Sequence, residues 1–189
     1  MSRAGVWRAT LSDRGAVAIE AALVFPVLLL LALGIAEWSL VLRDQIELTS
    51  VSRAGARTAS SLPPLGAAGG GEPFTDQVVD SIESSTSSLA GSLTYVLVYK
   101  AGPDGLPLSG AATCDGAASC ARYDWDAAEG AFEATGQTWD GSDVEACAGA
   151  SGLTRVGVLV GAQHRMMTGI WSDRNLTANT VMSFEPQRC

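Results

Sequence analysis

The longest feature in the pattern of apolar and polar residues is a hydrophobic run near the N-terminus, from Gly15 to Leu42. Its only charged residues are Glu20 near the start and Glu37 near the end. As an α-helix rising roughly 1.5 Å per residue, the 27 residues from Ala16 onward would reach about 40 Å, more than the hydrocarbon thickness of a bilayer. A soluble core helix is rarely apolar on every side for so long, so we expect a membrane-spanning helix.

The helical pattern continues beyond this run but becomes amphipathic. Three arginines, Arg43, Arg53 and Arg57, fall on one face. The opposite face carries small or apolar residues at the helical period: Val41, Leu48, Val51, Gly55, Ala59 and Leu62. We therefore predict that residues 16–62 form one membrane helix and stalk, whose apolar face packs on the domain that follows. Two prolines then end the helix, and the glycine-rich residues 63–73 predict a linker.

Residues 74–189 have the pattern of a small mixed domain. Apolar residues at helical spacing between Thr75 and Ala90 predict a second helix. Runs rich in β-branched and aromatic residues predict three strands, at residues 93–100, 155–162 and 176–184, and a short hairpin is possible within residues 122–134. We expect an α+β fold, in which a three- to four-stranded antiparallel sheet packs on the helices.

The charge is distributed unevenly along the chain. The net charge is −8, but residues 62–189 alone carry six Lys or Arg against fifteen Asp or Glu. A domain this acidic should repel nucleic acid and anionic lipid as a whole, so we expect no nucleic-acid partner.

The orientation in the membrane follows from the cysteines and the leader. Residues 1–14 are short, polar and basic, but three arginines precede the apolar run and three follow it closely, so the positive-inside rule does not decide. All four cysteines follow the run, which favours an oxidising compartment for the domain. We expect a single-pass cell-membrane protein with a cytoplasmic N-terminus and an extracytoplasmic domain.

The N-terminal segment carries a family resemblance. Residues 14–38, RGAVAIEAALVFPVLLLLALGIAEW, and residues 50–61, SVSRAGARTASS, resemble the N-terminus of TadE-like proteins, the minor pilins or pseudopilins of the tight-adherence (Tad, type IVc) pilus system. The C-terminal LTANTVMSFEP, residues 176–186, is similar to the way many members end. Ala21 follows Glu20 where the major pilins of that system usually have tyrosine, so the resemblance favours the minor, TadE-like role.

The resemblance also implies how the chain is processed and what it meets. A prepilin peptidase would cut after Gly15 on the cytoplasmic face, which makes residues 1–15 a leader and Ala16 the new N-terminus. The implied partners are the lipid bilayer, this peptidase, other Tad pilus subunits and the inner-membrane assembly platform. The implied fold is pilin-like.

Glu20 would then be the fifth residue of the mature chain. A carboxylate in the hydrocarbon layer costs about 2.5–3.5 kcal/mol at the centre on insertion scales, so a partner is expected. The α-amine created at Ala16 of a neighbouring subunit could supply the opposite charge where helices bundle. Two alternatives remain open: Glu20 is protonated, or it reaches the headgroups. Pro26, within the run, fits either a hinge for extraction from the bilayer or an accommodated kink.

The four cysteines allow three pairings, and the sequence alone does not choose among them. Our preferred hypothesis joins Cys114 to Cys120 and Cys147 to Cys189, an arrangement that staples the irregular residues 102–150 and clips the last residue onto the domain. A zinc site is the competing hypothesis, but the chain lacks a CxxC motif and has one histidine, His164.

Other chemistry has little support in the sequence. His164 follows an apolar strand and fits a polar strand end, and no GxSxG motif accompanies it. The acidic residues 124–126 and 140–143 do not form a complete calcium loop, and solvated loops are the simpler interpretation. We therefore expect no enzyme, catalytic residue, cofactor or metal.

The function we predict is structural: a minor pilin that helps to assemble a Tad pilus. One alternative is a membrane-anchored extracytoplasmic binding module that is not processed. Another is a secreted protein cut by signal peptidase near Ala36.

Overall fold

The computed structural model describes most of the chain, in segments. They are residues 14–62, 73–86, 89, 91–108, 114, 119–136, 139, 141, 143–147, 152–169 and 171–187. The predicted leader, residues 1–15, and linker, residues 63–73, lie almost entirely outside these segments. The contacts divide the chain into two compact units, which meet between Leu40 and Val41 and are described separately.

The first unit contains the beginning of α1, a 48-residue helix that runs from Arg14 to Ser61 and includes Pro26. Its large apolar side chains point outward on every side: between Val17 and Ile35, twelve of them are 39–71% exposed. Among the described residues, one helix is long and apolar enough to cross a membrane, with a mean hydropathy of 2.5 over an 18-residue window of which none is buried. By its length and composition, α1 is a candidate membrane span.

The second unit contains the rest of α1, and there the predicted apolar face is buried. Leu48 and Ala59 are fully buried and Val51 is 2% exposed, whereas Arg53 and Arg57 face solvent. The apolar face that the sequence predicts for this part of α1 therefore belongs to the domain's main core.

In the part of this unit that the structure describes, a small second helix and five strands follow α1. The elements are α2 (Phe74–Ser85), β1 (Leu93–Lys100), β2 (Cys120–Asp126), β3 (Ala131–Ala134), β4 (Arg155–His164) and β5 (Arg174–Ser183). The strands form one antiparallel sheet in the order β3-β2-β1-β4-β5. The α+β class is confirmed, although the sheet is larger than the three or four strands predicted.

The extra strand comes from the hairpin that the sequence showed only weakly. β2 and β3 pair through Trp125 opposite Phe132, whose rings meet edge to face with centroids 5.0 Å apart. β2 also pairs with β1 along five positions, which ties the hairpin into the sheet. Its short and partly charged strands have little hydrophobic periodicity, so its place depends on its neighbours.

The described residues of the domain form two buried clusters. The larger contains the apolar faces of α1 and α2 together with residues from all five strands, and includes Phe74 in edge-to-face contact with Trp139 and Phe184. The smaller contains Leu97, Tyr99 and the disulfide-bonded Cys114 and Cys120. Trp139 is 1% exposed, so the irregular segment contributes a core residue.

Two glycines of β4 make room for aromatic rings of β1. Gly157 lies opposite Tyr99, and Gly161 lies opposite Tyr95. A Cβ at Gly161 would lie only 2.5 Å from Cε1 of Tyr95, and a Cβ at Gly157 would overlap the Tyr99 ring. The glycines in RVGVLVGA therefore let each tyrosine lie across the neighbouring strand.

Candidate functional site

The predicted processing and pairing residues lie at the start of α1. Gly15 and Glu20 are both exposed, and the side chain of Ala16 lies outside the described set. Glu20 is surrounded by exposed apolar neighbours such as Ile19 and Leu23, which are 67% and 71% exposed. None of the ion pairs found among the described residues involves Glu20. In a bilayer, this carboxylate would face hydrocarbon, headgroups or another helix.

The buried histidine fastens β4 to α1. His164 is the last residue of β4 and is 7% exposed, and its Nδ1 lies 2.5 Å from Oδ2 of Asp44 on α1. Its Nε2 is buried and has no hydrogen-bond partner within the described part of the chain. The sequence predicted a polar strand end here, and nothing in the spacing pointed to Asp44, 120 residues away.

Three further polar contacts hold α1 on the sheet. Gln45 donates from Nε2 to the carbonyl of Thr177 at 3.0 Å. Ser52 donates to the carbonyl of Val158 at 2.8 Å and lies 3.0 Å from Oγ1 of Thr180. Together with the His164–Asp44 pair, these contacts fix the register of the second half of α1 along β4 and β5.

The disulfides staple the irregular segments. Cys114 and Cys120 are joined, with their Cα atoms 5.4 Å apart, which is the first pair of our preferred arrangement. Cys147 is also disulfide-bonded. Its predicted partner, Cys189, lies outside the described residues. Among the described residues, no group of three or more His, Cys, Asp or Glu side chains is arranged to hold a metal ion.

The chain after β5 runs beside Cys147. Gln187, two residues before Cys189, forms a parallel bridge with Cys147 and donates its backbone N–H to the carbonyl of Ala146 at 2.7 Å. The Cα atoms of disulfide partners are usually 4.4–6.8 Å apart, and two further residues of chain span that range easily. The Cys147–Cys189 pairing stays a prediction, and this bridge supports it.

Asp143 organises the segment that joins β3 to β4. Its carboxylate accepts hydrogen bonds from Trp139 Nε1 at 2.6 Å, from Ser119 Oγ at 2.6 Å and from Lys100 Nζ at 3.0 Å. Burial opposes ionisation, but the hydrogen bonds from Ser119, Trp139 and Lys100 outweigh it, and they hold the pKa of Asp143 below its ordinary value. Asp143 lies in an acidic stretch that the sequence analysis considered for calcium binding. In the structure, its carboxylate instead accepts hydrogen bonds from three separate segments.

A shallow acidic groove of about 260 Å³ lies between α2 and β3. Tyr123 donates its hydroxyl to Asp76 Oδ1 at 2.5 Å, and burial, followed by this hydrogen bond, raises the pKa of the phenol. Glu83 accepts the backbone N–H of Phe132 at 2.6 Å, so it covers part of the exposed edge of β3. The groove's polar groups therefore serve the packing of α2 on the hairpin.

The comparisons with known proteins point to the N-terminal segment. The family model described as TadE-like protein matches residues 15–57, under a quarter of the chain. The match contains Gly15, Ala16 and Glu20 and extends to Arg57 in the second half of α1. No curated protein and no solved structure matches the chain. The resemblance seen in the sequence is confirmed, and this segment is consistent with a TadE-like protein of the Tad pilus system.

Replacing Asp143 should destabilise the domain. We expect Asp143→Asn to lower the free energy of unfolding by about 1–2 kcal/mol near neutral pH, because the buried indole N–H of Trp139 loses a charged acceptor. Since the pKa of Asp143 is lowered in the folded state, its contribution is present above pH of about 4 and disappears as the pH falls through the folded-state pKa.

The measurement is denaturant unfolding of the detergent-solubilised chain at several pH values, followed by tryptophan fluorescence. Glu133→Gln is the control, because Glu133 is an exposed carboxylate on β3. An Asp143→Asn protein as stable as the control variant at pH 7 would contradict the role given to this carboxylate.

The second disulfide can be identified directly. We expect non-reducing peptide mapping of the exported chain to recover Cys147 covalently linked to the C-terminal peptide that ends in Cys189. Recovery of Cys147 linked to any other cysteine, or of Cys189 as a free thiol, would overturn the pairing. Reduced and alkylated protein is the control, in which the linked peptide must disappear.

Proposed function

We propose that this protein is a minor pilin-like subunit that acts structurally in the assembly of a Tad pilus, after a prepilin peptidase has cut between Gly15 and Ala16. The observation that carries the proposal is the TadE-like match over residues 15–57, on a helix that exposes apolar side chains on every side. This match supports a Tad pilus-associated, pilin-like protein. The processing and the place in assembly are the steps that we add.

Glu20 is the residue that distinguishes this role from that of a plain membrane anchor. An anchor gains nothing from a carboxylate among side chains as exposed as Ile19 and Leu23. After cleavage, Ala16 carries a positive α-amine, and Glu20 of an adjacent subunit offers it a counter-ion in a medium of low dielectric constant. Pairing between subunits would therefore stabilise helices packed side by side.

The second half of α1 links the proposed lateral packing of helices to the folded domain. The helix is continuous from Arg14 to Ser61, and its later turns contribute Leu48, Val51 and Ala59 to the domain's core. A subunit recruited through its membrane helix therefore carries its domain on the same element.

The proposal includes a location and partners. The N-terminus lies in the cytoplasm, where the peptidase acts, and the disulfide-bonded domain lies on the other side of the membrane. The proposed partners are the prepilin peptidase, other Tad pilus subunits and the inner-membrane assembly platform. The competing possibility, an unprocessed membrane-anchored binding module, is an outcome of the first test below.

The mature N-terminus tests the processing. Co-expression with a prepilin peptidase should yield a chain that begins at Ala16, read by mass spectrometry of the N-terminal peptide. A Gly15→Leu variant should keep the leader, because a bulky side chain replaces the glycine before the scissile bond. A wild-type chain that still starts at Met1 would favour the unprocessed anchor, and a start near Glu37 would favour cleavage by signal peptidase.

Replacing Glu20 tests the pairing. We expect Glu20→Ala to leave membrane insertion intact but to lower co-purification with pilus subunits roughly tenfold, which corresponds to about 1.4 kcal/mol. Leu23→Ala is the matched control, since Leu23 is a comparably exposed neighbour that carries no charge.

The pairing also predicts a specific non-additivity. The Gly15→Leu chain has no α-amine at Ala16, so adding Glu20→Ala to it should cause little further loss. Equal losses from Glu20→Ala in the processed and unprocessed chains would show that Glu20 acts without the amine.

A further inference from the structure

The loop between β4 and β5 combines apolar and basic residues in an otherwise acidic domain. Residues 165–174 read RMMTGIWSDR, and Arg165 and Arg174 are two of only six Lys or Arg residues after position 61. Met167 is 78% exposed, which exceeds the exposure of Leu106 and Leu108, the other exposed large apolar residues described outside α1. Arg165 is exposed, and Trp171 is partly exposed.

Contacts among the described residues of this loop, 165–169 and 171–173, fix where it begins and ends. Strand pairing continues to His164 opposite Arg174, so the loop begins directly at the end of the sheet. The backbone N–H of Met166 donates to Oδ1 of Asp173 at 3.1 Å, which closes the base of the loop. Gly169 has a φ of +65°, the left-handed conformation that a tight turn needs. Met167 therefore projects from a closed loop.

The loop is fastened to α1 where the apolar run ends. His164, next to Arg165, contacts Asp44 of α1 at 2.5 Å. Asp44 lies two residues beyond Leu42, the end of the apolar run, which is about 3 Å of helix rise. Arg43 is exposed at the same level, and Leu42 is 60% exposed. The loop therefore begins beside the turn of α1 in which the apolar run ends.

We propose that the described part of the β4–β5 loop, residues 165–169 and 171–173, is a second membrane contact, which lies in the headgroup layer at the level of Leu42. Met167 and Trp171 enter the boundary between headgroups and acyl chains, and the guanidinium groups of Arg43 and Arg165 meet lipid phosphates. The proposal rests on α1 spanning the bilayer. It makes this loop a local exception to the acidity of the domain, which as a whole should repel anionic lipid.

The opposite end of the sheet provides a matched control. Leu108 is 62% exposed and follows a turn near Lys100, which pairs with Val156 at the start of β4. The length of β4, ten residues, separates the two ends by roughly 30 Å. An apolar residue of similar exposure is therefore available far from the proposed lipid contact.

The test uses the full chain in nanodiscs of phosphatidylethanolamine and phosphatidylglycerol. A photo-crosslinking residue, p-benzoylphenylalanine, replaces Met167 in one protein and Leu108 in another, and mass spectrometry counts lipid adducts. We expect about fivefold more lipid adduct at position 167, and a fall of about fivefold when Arg165→Gln is added, since one arginine near an anionic surface contributes a factor of that size. Arg57→Gln, on the solvent face of α1, should change nothing.

Each result decides between named outcomes. Equal adduct yields at positions 167 and 108 in protein that co-floats with lipid would overturn the loop contact and leave the α1 span intact. Crosslinks from position 167 to a second copy of the chain instead of lipid would identify a protein interface and also overturn it. Protein that fails to co-float with lipid would overturn the span and the loop contact together.

Discussion

The rest of the domain depends on how the second half of α1 packs on the sheet. Gly55 allows the close approach, because a Cβ there would lie 2.8 Å from Cδ1 of Ile82 and 3.2 Å from Cγ1 of Val158. At the same interface, the hydroxyl of Ser52 donates a hydrogen bond to the backbone carbonyl of Val158. Because Gly55 and Ser52 are small, α1 packs closely against both α2 and β4. The main core forms where these three elements converge.

The parts of the domain that lack hydrophobic periodicity are held by a few polar or covalent contacts instead. Asp143 accepts hydrogen bonds from three segments of the chain. The disulfide between Cys114 and Cys120 ties the chain before β2 to the first residue of that strand. Such segments have little apolar surface to bury, so each contact must offset a large share of the entropy lost on ordering them. The removal of one contact should therefore lower the stability of the domain moderately, whereas a clash at Gly55 would disturb the whole core.

The two parts of α1 differ in whether their apolar side chains are exposed or buried. Its first part exposes apolar side chains that water would not tolerate over such an area, and its later part buries its apolar face against protein. Glu20 lies in the first part, where a bare charge is costly, while Asp44, with His164, lies just beyond the apolar run. The proposed assembly role would use this division: the exposed part would pack with lipid or with other subunits, and the buried part fixes the domain.

The sequence by itself determined the elements whose signal is periodic and local. The apolar run, the amphipathic stalk, the three main strands and the TadE-like segment were all evident, because burial imposes a repeat of 3.6 or 2 residues on the chain. Tertiary structure alone decided the contacts between distant residues. His164 with Asp44, Asp143 with its three donors and β2–β3 with β1 join positions up to 120 residues apart, and no local repeat encodes such pairs. The β4–β5 loop illustrates both kinds of information. Its apolar and basic composition can be read from the sequence, but its position beside Asp44 follows only from how the sheet packs on α1.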